Sequence, residues 1–163
     1  MKSMKKLMIA SALAVMAAGM NAQDIAPAGV EELSSPDGRL SLKFTVTERG
    51  EPCWWMDFED RSAVLPSKMG LELRGEIPKL EFGEEIKRGR VGEPVSLYDG
   101  FKVENVARAE ADETWSPVWG EESSIRNHYR EMAVTLKQAG TDRLMTVRFR
   151  LYDEGVGFRY EFP

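Results

Sequence analysis

One cysteine and one histidine are all that this 163-residue sequence holds of the side chains that build disulfides, zinc sites and most general bases. A single Cys53 excludes an internal disulfide. A single His128, with no second His or Cys at ligand spacing, argues against a zinc site and fits a hydrogen-bonded structural histidine better than a ligand or base. Phosphate loops, nucleophile elbows and zinc spacings are missing throughout. Outside the first residues no stretch of twelve or more has helical spacing, and no later apolar run approaches the length of a membrane span. Positive charge is also short, with 22 Lys and Arg against 27 Asp and Glu for a net −5. An acidic surface argues against nucleic acid and anionic lipid as partners, and is silent about fold.

The N-terminus has a definite order. Lys2, Lys5 and Lys6 are followed by an apolar or small run, Leu7 to Met20, and then by Asn21-Ala22-Gln23. Basic, apolar and small-residue regions in that sequence read as a secretory signal, residues 1–22, and as an exported, periplasmic protein; outer-membrane association stays open. Ala22 suits the last position before cleavage, and a cut after Gly19 is the second option. Removal of residues 1–22 takes three lysines and no acid, leaving 141 residues with 19 basic and 27 acidic side chains and a charge of −8. That length suffices for one domain with a core. Cys53, beside Trp54 and Trp55, reads as a small buried hydrophobe because nothing near it supplies the positive setting of a reactive thiol.

Residues 23–34 read as a short mature tail, with order beginning at the Ser35-Pro36-Asp37-Gly38 turn. Leu40, Leu42, Phe44 and Val46 then alternate with Ser41, Lys43, Thr45 and Thr47, a half-buried strand. Glu48 to Pro52 turns the chain into a second strand over 53–58. Further strands are expected at 62–65, 69–73 and 101–107, with a glycine-broken connection over 74–96 that carries one short strand near 80–82. Tyr129, Met132, Val134 and Leu136 form another, its register open around Arg130-Glu131. Met145 to Leu151 and Val156 to Phe162 alternate on either side of Asp153-Glu154-Gly155, a hairpin. The expected class is all-β, an antiparallel β-sandwich over 35–163, incomplete at its C-terminal end because a patterned strand runs straight to Pro163.

The densest stretch is Asp112 to Glu131, with two tryptophans, five carboxylates, two arginines and the histidine. Trp115 and Trp119 could stack on sugar rings, with carboxylates and Asn127 binding hydroxyls. Glu121 and Glu122 make a poor acid–base pair, because neighbours on a strand point to opposite faces. Tryptophans in a strand-rich chain pack in a core, or against another domain, more often than they form a ligand platform.

The segments SPDGRLSLKFTV, LYDGFKV, DETWSPVWGEESSIRNHYRE and RFRLYDEGVGFRYEFP, in that order, resemble the N-terminal region of glycoside hydrolase family 97, exported Bacteroides-type α-glucosidases and α-galactosidases. The resemblance spans almost all of residues 34–163. It implies an N-terminal super-sandwich-like domain, a downstream (β/α)8 catalytic barrel, an oligosaccharide substrate and dependence on calcium. Catalytic and calcium-binding residues are then expected beyond Pro163, so this chain by itself should be inactive, and none is assigned in it. It also implies a role for the Trp115–Glu131 segment as substrate rim or domain interface, with Trp115, Trp119, Glu122, Arg126, Asn127 and His128 as candidates. The alternative reading is a stand-alone carbohydrate-binding or adhesive β domain without catalysis.

Overall fold

The computed structural model describes residues 29–74 and 94–163. The signal segment and the short strand expected near 80–82 lie outside them. The described residues form ten strands and no helix: β1 (Glu31–Ser34), β2 (Leu40–Val46), β3 (Pro52–Phe58), β4 (Arg61–Lys68), β5 (Leu71–Leu73), β6 (Val95–Leu97), β7 (Phe101–Trp115), β8 (Ile125–Gln138), β9 (Leu144–Leu151) and β10 (Val156–Glu161). One antiparallel sheet runs β1-β2-β3-β4 and the other β10-β9-β8-β7; β5 and β6 pair separately.

The alternation in sequence is what closes the sandwich. Leu40, Leu42 and Phe44 of β2 are buried, as are Met132, Val134 and Leu136 of β8 and Met145, Val147, Phe149 and Leu151 of β9. The two faces meet through aromatic rings: Phe149 lies 5.8 Å from Phe44 and 6.0 Å from Trp54, centroid to centroid. Each such side chain taken out of water stabilises the fold by about 1.5–3 kcal/mol before entropy is counted. Cys53 is fully buried, and that burial pushes its thiol pKa up.

Turns set the registers. Asp37 Oδ1 accepts from Ser35 Oγ at 2.7 Å and from Arg39 N at 3.0 Å, while Ser35 Oγ accepts from Leu40 N at 3.0 Å. These local bonds hold Asp37 well below the usual carboxylate range. The second turn also fastens one sheet to the other. Phe101 N donates to Gly50 O at 2.9 Å and Gly100 N to Arg49 O at 3.0 Å.

Several elements depart from the sequence reading. Residues 31–34, assigned to a tail, form β1 against β2, and Leu33 enters the core at 6% exposure. The strand begun at Arg61 continues to Lys68, whereas only Leu71–Leu73 of the stretch 69–73 is strand. The strand expected to end at Ala107 continues to Trp115. Tyr129 does not share the face of Met132, Val134 and Leu136: the pairing from Thr135 to Ile125 is unbroken, so parity puts Tyr129 and Glu131 on the outer face. Phe158, one of the alternating apolar residues of the last hairpin, sits on the inner face of edge strand β10 yet is 47% exposed.

A braced hairpin as the candidate functional site

β9 reaches only as far as Arg130, which opposes Leu151. Beyond that point β7 and β8 pair with each other alone, so residues 111–115 and 125–129 form a two-stranded ribbon overhanging the sandwich. A bare two-stranded ribbon is marginal in water, and its cross-strand side chains decide whether it holds its shape.

Those side chains fall into two rows. On the face continuous with the core, Arg126 makes a two-pronged contact with Asp112, Nε to Oδ1 at 2.7 Å and Nη2 to Oδ2 at 2.6 Å. His128 Nε2 lies 3.1 Å from Glu110 Oε1, and Arg130 Nε donates to Glu110 Oε2 at 3.3 Å. Arg130 Nη1 also reaches Ser35 O at 3.1 Å, and Arg108 Nη2 reaches Glu31 Oε2 at 2.5 Å, tying the base of the ribbon to the other sheet. The bonds from Arg126 hold Asp112 below the usual carboxylate range, and those from His128 and then Arg130 do the same for Glu110. A general acid for glycoside cleavage needs the opposite shift. These carboxylates brace the ribbon.

The opposite face carries Trp115, Glu113 and Ala111 on β7 against Ile125, Asn127 and Tyr129 on β8. Asn127 Nδ2 donates to Glu113 Oε1 at 2.7 Å. Tyr129 sits under the Arg150 guanidinium, 4.4 Å from ring centroid to Cζ, and 5.4 Å from the Tyr152 ring. Glu131, almost buried, accepts from Arg148 and, at 2.8 Å, from Arg150.

The six sequence candidates are therefore not one cluster. Trp115 and Asn127 share the outer row, Arg126 and His128 the inner row, and Trp119 and Glu122 lie in the 116–124 loop at the tip. The reading that placed the tryptophans in this domain's core is corrected, because Trp115 is 52% and Trp119 90% exposed, with Val118 beside them at 99%. His128 has a hydrogen-bond partner in Glu110. Sequence reasoning did not single out Glu110, Asp112 and Glu113, the β7 partners of these residues, because their pairing becomes visible only once the hairpin register is known. Among the described residues no three His, Cys, Asp or Glu side chains come together to hold a metal ion. Two shallow depressions, about 200 and about 300 Å³, lie around Gly157 on the outer face and beside the Lys102–Glu104 end of β7, both away from the hairpin tip.

Solved structures share this arrangement. A glycoside hydrolase family 97 enzyme from Pseudoalteromonas sp. strain K8, determined in complex with panose, superposes with a TM-score of 0.64 at 25% sequence identity. The match covers 82% of this chain and 17% of that one. The complex of such an enzyme from the same strain with acarbose gives the same values. A β-arabinopyranosidase crystal structure shares the fold, with a TM-score of 0.63 at 17% identity over 82% of this chain and 18% of its own. The chain thus spans under a fifth of the length of these relatives. The family description "Glycosyl-hydrolase 97 N-terminal" matches residues 33–163, from the second half of β1 onward and including the hairpin. The chain belongs to glycoside hydrolase family 97, of which it represents the N-terminal domain.

Proposed function

We propose that this chain is the N-terminal β-sandwich of a secreted, calcium-dependent α-glycosidase that hydrolyses α-glucosides or α-galactosides in oligosaccharides. Its part is to support a catalytic (β/α)8 barrel and help form the rim of the active site. The single observation that supports this most is the family match over residues 33–163. The braced hairpin adds to it, since a ribbon held stiff by ion pairs carries Val118 and Trp119 into solvent, where a neighbouring domain would bury them. Export to the periplasm follows from the signal-like N-terminus. In this reading calcium serves the catalytic part of the parent enzyme.

Two assays test the reading. The full-length protein with calcium should cleave a nitrophenyl α-glucoside or α-galactoside and lose that activity to a chelator. Purified 23–163 should cleave neither. Cleavage by the isolated domain, or none by the full-length protein on either substrate, overturns the proposal.

A further inference from the structure

The outer row of the hairpin has a composition that bracing does not require. Trp115 is half exposed, and among the described residues it stacks on no other ring and carries no cation. Two residues inward on the same face, the Asn127–Glu113 pair is a donor and an acceptor side by side. Its single contact leaves the second amide proton of Asn127 and Glu113 Oε2 without a protein partner among the described residues. Next along the row Ala111 offers only a methyl group, with Tyr129 directly across from it on β8.

We infer that this face is a contact surface for a neutral oligosaccharide. The inference rests on the glycosidase reading only for where the sugar comes from. Residues i and i+2 on one strand face stand about 7 Å apart, roughly the width of one pyranose ring. An indole offers an apolar platform to the C–H face of such a ring. A vicinal diol is donor and acceptor at once, which a carboxylate oxygen and an amide N–H complement together. The low floor at Ala111 gives the next sugar unit room. Anionic ligands fit badly, because Glu113 is the charged group at the centre of the row. The inner row has no such capacity, its carboxylates being already taken by Arg126, His128 and Arg130. Trp115 and the Glu113–Asn127 pair bind; Asp112 and Arg126 position the strand that carries them.

The test compares long and short substrates in the full-length protein. Trp115→Ala should raise KM for maltotetraose or stachyose, whichever the enzyme cleaves, by about tenfold. The rise should be clearly smaller for the nitrophenyl monosaccharide, which lacks the further sugar units, and the melting temperature should stay unchanged. Asn127→Ala and Glu113→Ala should each give a smaller rise of the same selectivity, and they stand in for Trp115→Ala if that variant fails to fold. Equal changes for short and long substrates, or no change, overturn the inference. So does a lowered melting temperature without a selective KM effect, which would make the row a protein interface. If the wild type cleaves nothing, the glycosidase reading fails separately, and isothermal titration calorimetry with the two oligosaccharides decides. Binding lost in Trp115→Ala supports the inference; binding retained, or absent in the wild type, overturns it.

Discussion

Arg148 on β9 grips Glu161 on β10 with two parallel hydrogen bonds, Nε to Oε1 at 2.8 Å and Nη2 to Oε2 at 2.9 Å. Its remaining prong, Nη1, goes to Glu131 on β8, so one guanidinium ties three adjacent strands on the face away from the core. Arg150 joins the same ladder through Glu131. A planar fork can serve two carboxylates at once in this way, and a lysine ammonium cannot match its geometry.

Replacing Arg148 by alanine leaves Glu131, at 9% exposure, with one partner fewer. The expected loss is about 1–2 kcal/mol, below the range for a fully buried pair because the ladder is open to water on its outer side. Arg148→Lys should recover less than half of it. Urea titration of the protein reads both values, and an alanine variant as stable as wild type would falsify the structural role of the ladder.

Acid should loosen the same face. The hydrogen bonds from Arg148 and then Arg159 bring Glu161 from 4.5 down to about 2. Burial pushes Glu131 up, but the bonds from Arg150 and Arg148 outweigh it and the net shift is downward. Both groups bind protons more weakly folded than unfolded, so their stabilisation is complete above the unfolded value and disappears as pH falls through the folded one. The melting temperature should hold steady down to about pH 5 and fall between about pH 4.5 and pH 2. Glu161→Gln should show a shallower fall over that window, and identical slopes would remove Glu161 from the account.

Two glycines of similar backbone separate strain from crowding. Gly50 has φ +78° and Gly140 φ +71°. A Cβ on Gly50 would lie 2.4 Å from Phe101 N and 2.6 Å from Gly100 C, both backbone atoms, whereas a Cβ on Gly140 meets nothing within 4 Å. Gly140→Ala should therefore cost about 1–2 kcal/mol, the left-handed penalty alone. Gly50→Ala should cost about 3 kcal/mol or more, because it also pries the β2–β3 turn from the start of β7. Equal costs in thermal or chemical unfolding would show that the junction yields.

Cys53 should be silent in the native state. It is wholly buried and its thiol is shifted up by that burial. Labelling by an aromatic disulfide reagent at neutral pH should proceed at the rate of unfolding and become fast in denaturant. Rapid labelling without denaturant would contradict the packing around β3.

Much of the sandwich was legible in sequence wherever a strand has one wet and one dry face. Leu40-Leu42-Phe44 and Met145-Val147-Phe149-Leu151 alternate because each faces the other sheet, and the period of two survives in the residues themselves. The outer half of β7 was not legible for the same reason. Past Ala107 both of its faces are largely exposed, so Arg108, Glu110, Asp112 and Glu113 carry no apolar alternation to read. β1 escaped because four residues are too few to show a period, and its strand state depends on β2 being there to pair with.

Residue order alone determined the all-β class, the buried lone thiol and the family likeness, since these depend on local pattern and on motifs contiguous in the chain. Tertiary structure alone decided which charges brace and which side chains remain available. Asp112 with Arg126 and Glu113 with Asn127 are each 14 positions apart, and the hairpin register brings them together, the second pair directly opposite and the first on the diagonal, since Arg126 lies across from Thr114. The same register puts Trp115 on the outer row, the face turned away from the other sheet, while Trp119 is carried in the 116–124 loop at the tip.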